Sequence, residues 1–207
     1  MSWETDDSTG FLTHFTGTVV DSYFGTDPRY NEGLTTMALW DVEVDKVLQE
    51  GYEGEVPETI AVKLPLGSNW FTEGGDVAEH SKGKTKFHVN SAYGKLIDSV
   101  MGRVENYGTN ASSGDDDSPL EVDLLGLQEV LPDRGDPTLS EIWKGLSFEF
   151  RDVHFDFGID KVTKQPMKSR RTLPVKFLGV SGEKKAKKAD KEGSSPVALN
   201  NPFTSLV

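Results

Sequence analysis

The side chains able to do acid–base or metal chemistry are few and scattered. His14, His80, His88 and His154 show neither an HxH nor an HExxH spacing. Asp152, His154 and Asp156 alternate, which puts three potential ligands on one face of a strand. An exposed polar strand face is the preferred reading of the three. Asp115-Asp116-Asp117 lacks the spaced carboxylates of a divalent-cation loop and reads as a solvated run. No GxSxG, Walker loop or strand–helix GxGxxG is present. With no cysteine, disulfides and thiolate metal sites are excluded. The expectation is a protein that is not an enzyme and carries no metal or cofactor.

Cations give a clearer signal. The formal charge is −12, yet Lys161 to Lys191 holds 11 Lys+Arg against Glu183 and Asp190, a net of +9. The rest of the chain therefore carries −21. Such asymmetry marks a local anion-binding surface on an acidic protein, or else a solvated loop and a basic tail. The densest part is the loop expected after Asp160, with Lys161, Lys164, Lys168, Arg170 and Arg171.

The elements that would hold this loop are strands. Leu146, Phe148 and Phe150 alternate with polar residues, then the pattern slips and resumes at Val153, Phe155 and Phe157. A bulge at Arg151-Asp152 would explain the slip. Leu173, Val175 and Phe177 form the returning strand of a hairpin spanning Trp143–Gly179. Earlier, FLTHFTGTVVDSYF (11–24) reads as a first strand, bent at Gly17. Thr35–Val47 is a second, with Ala38, Trp40, Val42 and Val44 on one face. TIAVKLPLG (59–67) is a third. SAYGKLIDSVMGRV (91–104) is an amphipathic helix through Tyr93, Leu96, Ile97, Val100, Met101 and Val104. Residues 1–10 read as a flexible leader, 105–142 as a polar insertion ending in short apolar elements, and 181–207 as a flexible basic tail with an apolar tip.

The order strand, strand, strand, helix, strand, strand is that of an OB-fold, a five-stranded barrel with a helix between strands 3 and 4. Another small β-barrel or sandwich with an appended helix fits the same order. In an OB-fold the loops after strands 1 and 4 flank the ligand groove. Here those loops are Gly25–Gly33, with Arg29 and Tyr30, and Asp160–Arg171. Single-strand binding needs cations along a backbone track and aromatic faces for bases. The expected nucleic-acid contacts are thus Arg29, Lys63, Lys161, Lys164, Lys168, Arg170 and Arg171, with Tyr30 and Trp70 as stacking residues. Trp40, Phe148, Phe150, Phe155 and Phe177 are expected in the core.

SAYGKLIDSVMG, WKGLSFEF, the Lys/Arg-rich loop and RTLPVKFLG together resemble, in layout, the OB-type single-stranded DNA-binding proteins of tailed bacteriophages. That resemblance implies sequence-independent binding of single-stranded DNA in phage replication or recombination, in the cytoplasm of an infected bacterium. Such proteins commonly end in an acidic tail with an apolar tip that recruits replication or recombination proteins. Here KKAKK precedes NNPFTSLV, which puts that recruitment in doubt. The alternative is a phage structural or interaction module using the barrel as an assembly adaptor. The acidic start MSWETDDSTG is unlike a secretion signal, and no apolar run reaches the roughly 18–20 residues needed to span a bilayer.

Overall fold

The computed structural model of the chain describes residues 12–28, 31–88, 91–101, 112–113, 118–119, 121–159, 164 and 166–181; at 31, 112–113, 118–119, 154–159 and 166–170 it describes the backbone alone. The expected leader, Asp115–Asp117, Val104 and the tail beyond Ser181 lie outside these residues.

The fold is mainly β. Strand β1 (His14–Thr26) pairs antiparallel with β2 (Thr36–Val47), and β2 with β3 (Thr59–Pro65). Two short strands, β4 (Trp70–Phe71) and β5 (Glu79–His80), make a separate hairpin. Helix α1 (Ala92–Val100) follows. The insertion contributes β6 (Ser112–Ser113), β7 (Ser118–Pro119), α2 (Leu125–Val130) and two 3-10 turns at Leu131–Asp133 and Ser140–Trp143. Last come β8 (Leu146–Ile159) and β9 (Pro166–Val180). The five long strands form one antiparallel sheet in the order β3-β2-β1-β8-β9. Its outermost members, β3 and β9, approach to within 8 Å at Cα. β1 and β6 share one edge of β8, β1 along Ser147–Arg151 and β6 along Val153–His154.

Gly17 does mark a bend. The β1–β2 register shifts between Thr16 and Gly17, and a Cβ at Gly17 would stand 2.5 Å from Val42 Cγ1 and 2.6 Å from the Glu43 carbonyl oxygen. Only glycine admits so close a strand. The bulge expected at Arg151-Asp152 is not there. Arg151, Asp152 and Val153 face Leu173, Thr172 and Arg171 in unbroken register. Two shifts fall earlier, with Leu178 and Val175 as the extra residues on β9, and a third falls later, between Asp156 and Ile159; Pro174, next to Val175, has no N–H for the ladder. The change of face has another cause. Asp152 continues the Phe148 and Phe150 side and is buried, and Val153 is buried on the other side, where β6 joins.

The core is aromatic. Phe15 stacks on Phe150, Phe150 meets Phe148 edge-on, Phe148 stacks on Trp40, and Trp40 lies 4.7 Å from Trp143. From Trp143 the chain of rings passes to Tyr93 on α1 and then to Phe87. The Tyr93 hydroxyl accepts from the Trp143 indole at 2.9 Å and donates to the Pro137 carbonyl at 2.6 Å, so both buried polar groups are satisfied. Burial holds that phenol well above its ordinary pKa. Phe177 is half-buried against this cluster, and Phe155 lies where only backbone is described. One half of β2 departs from one-sided burial. Met37 and Leu39 are buried as well as Ala38, because the segment after β3 folds back over that end. There Thr36 Oγ1 donates to the Trp70 carbonyl and Phe24 N–H to the Gly75 carbonyl.

Candidate nucleic-acid interface

Of the expected contacts, Lys63, Trp70, Lys164 and Arg171 are described with their side chains. Arg29, Tyr30 and Lys161 lie outside the described residues. Lys164 is exposed, in the left-handed region at φ 59°. Lys168, Arg170 and Arg171 are not loop residues, because β9 already begins at Pro166. On the ladder, position 168 faces Asp156 and position 170 faces His154. Arg171 is half-buried and has an interaction of its own. Lys63 is tied to Asp27 at 2.5 Å. Trp70 is only 5% exposed, its ring stacked on Phe87 at 4.1 Å and met edge-on by His80. It is a wall of the core rather than a free platform for a base.

A different cluster comes together between the β4–β5 hairpin and α1. Trp70 and His80 are register partners at the base of the hairpin. The chain then runs His80-Ser81-Lys82-Gly83-Lys84-Thr85-Lys86-Phe87-His88, with no carboxylate in the run. It returns to the helix, where the His88 carbonyl accepts from the Ser91 N–H and hydroxyl. A Cβ on Gly94 would lie 2.1 Å from that carbonyl oxygen, so the glycine that costs α1 helical propensity is what lets this loop seat on it. The result is a cleft of about 720 Å³ lined by Asn69, Trp70, His80, Lys84, Lys86 and Phe87, among others. Asn69 sits in it at φ 69°, a left-handed conformation asparagine tolerates better than most residues.

The cleft is electropositive. Lys82, Lys84 and Lys86 are exposed and, among the described residues, have no carboxylate partner. Desolvation, then the charges of Lys84 and Lys82, hold His80 below its ordinary pKa. Its Nδ1 accepts the Lys82 N–H at 3.0 Å, leaving Nε2 to carry the proton of the neutral ring. The sequence does carry a trace of this site, three lysines at every second position between two histidines, but nothing in the pattern shows that a Trp–Phe stack stands beside them.

Among the described residues no three His, Asp or Glu side chains gather as a metal site, and no helix is long and apolar enough to cross a membrane. Asp152 is buried in the sheet, apart from any such group. Comparison of the chain with family models, curated proteins and solved structures finds no match.

Proposed function

We propose that this is a non-enzymatic, largely sequence-independent single-stranded DNA-binding protein with an OB-type barrel, acting in phage DNA replication or recombination. The observation that carries the reading is the run of unpaired lysines beside an aromatic stack on an otherwise acidic protein. Cations beside ring faces are what a single strand requires. The strand pairing supports the barrel. The first long strand pairs with the second and the fourth, a helix stands between the third and fourth, and β3 and β9 draw together at the seam. An OB-type barrel would use the same strand order with its two edges joined. A binding comparison at low salt tests the reading, using labelled oligo-dT, duplex DNA and RNA. Oligo-dT should bind more tightly than duplex, and affinity should fall steeply with salt as counterions are released. No binding of oligo-dT at low salt rules the reading out. Association with a protein partner that survives high salt would favour an assembly adaptor instead.

A further inference from the structure

We infer that the cleft between the β4–β5 hairpin and α1 is a nucleotide-binding site, with the phosphate held by Lys84 and Lys86 and the base packed beside Phe87. The inference deepens the reading above and rests on it for the source of the nucleotide. At about 720 Å³ the cleft falls within the range of small-molecule pockets, which bury most of a ligand between apolar walls and a few placed polar groups. The apolar wall is the Trp70–Phe87 stack. Trp70 is buried and Phe87 half-buried, so Phe87 is the ring with surface to offer. The polar groups are cationic. Lys84 and Lys86 sit at alternate positions of an exposed segment, each without a carboxylate to release before taking a phosphate. At the N-terminus of α1 the Gly94 N–H is already taken. Ser91 caps it, its hydroxyl accepting from the Gly94 N–H and donating to the His88 carbonyl. The lysines therefore supply the anion contact and the stack supplies the flat face, which together select a phosphate joined to an aromatic base.

The walls are fixed rather than adaptable. Phe87 meets Tyr93 at 4.8 Å, and Tyr93 is hydrogen-bonded to Trp143 in the core. The lysines are surface residues, so removing them leaves the fold intact, and the site can be tested in the full-length folded protein. Titration with dTMP, thymidine and inorganic phosphate, followed by amide chemical shifts, separates the contributions. dTMP should shift the resonances of Asn69 to Phe87 and bind at least about tenfold more tightly than either thymidine or phosphate, since each makes only half of the interactions. Lys84→Ala/Lys86→Ala should weaken dTMP by about tenfold or more with an unchanged melting temperature. Phe87→Leu should weaken dTMP while leaving the weaker phosphate binding in place. If dTMP leaves the cleft resonances unmoved at millimolar concentration, or binds the double lysine variant as well as the wild type, the inference is overturned. Oligo-dT then decides the source. Displacement of dTMP assigns the cleft to a nucleotide of the bound strand, and failure to displace it overturns that assignment in favour of a free mononucleotide. Failure of oligo-dT to bind anywhere would instead defeat the single-strand reading while dTMP still reported on the cleft.

Discussion

Among the described residues, two cationic regions differ in what surrounds the charge. On the β8–β9 hairpin, the sheet sets described cations around one carboxylate. Lys176 faces Glu149 on the ladder, and Glu149 also binds His14 at 3.0 Å and Arg151 at 2.9 Å. On the loop after β5, Lys82, Lys84 and Lys86 face no carboxylate and stand beside an aromatic stack. The hairpin has the larger count of cations, and the cleft has the cations free to take a new anion. A charge count along a sequence does not distinguish these cases, because a strand register pairs residues that are far apart in the chain.

The largest perturbation should strike both regions together. Trp143 is fully buried and links the Tyr93–Phe87 side to the Trp40–Phe148 side. Trp143→Ala should cost about 3–5 kcal/mol, read as a fall in denaturation midpoint. A loss confined to one region, with the other still folded by amide exchange, would show that the rings do not join them. Next in size, Gly94→Ala should separate the regions. The new methyl meets the His88 backbone, so the loop must lift from α1 at about 1–3 kcal/mol. Resonances of the cleft should shift while those of β8 and β9 stay in place. An equal shift in both would mean that the cleft is not an independent seat.

A smaller effect belongs to the hairpin side alone. Burial pushes the Glu149 carboxyl up, but hydrogen bonds from His14 and Arg151 outweigh it, and its pKa lies below the ordinary 4.5. A depressed folded pKa stabilises the protein above the unfolded value, and that stability disappears as pH falls through the folded one. Glu149→Gln should therefore lower stability at neutral pH, by at most about 1 kcal/mol for a partly solvated pair. It should also flatten the acid limb of the stability profile below about pH 4.5. An acid limb as steep as that of the wild type would show that the cluster does not hold the carboxylate.

Much of the sheet is legible in the sequence because it rests on local periodicity. The alternation of Ile60, Val62 and Leu64, and of Leu146, Phe148 and Phe150, follows from a strand with one buried face, and both appear as expected. Ser91 and the Tyr93–Leu96–Val100 spacing announce the helix, which ends at Val100 with Met101 as its cap. The features that periodicity misses depend on pairing. The slip near Arg151 suggests a bulge on β8 at that point, yet the nearest extra residue is Val175 on β9, where Pro174 interrupts the ladder. Trp70 suggests a free ring because it sits beside a loop. Phe87, seventeen positions on, closes over it, and no periodicity links the two. Lys63 suggests a groove cation, but its partner Asp27 lies across the sheet end, 36 positions earlier. The cleft is hidden for the same reason. Its lysines are visible in the sequence, and their wall is not.

The most direct test of this account is the salt dependence of oligo-dT binding in two double variants, Lys84→Ala/Lys86→Ala and Lys168→Ala/Arg170→Ala. On single strands, removing one lysine or arginine that neutralises a phosphate lowers the slope of log K against log salt by about 0.7. If the unpaired cations bind the phosphates, the slope of the cleft variant should fall by about twice that value, and that of the hairpin variant by distinctly less, with both proteins melting as the wild type does. A cleft variant with the wild-type slope, beside a hairpin variant whose slope has collapsed, would contradict the account and return the interface to the β8–β9 hairpin.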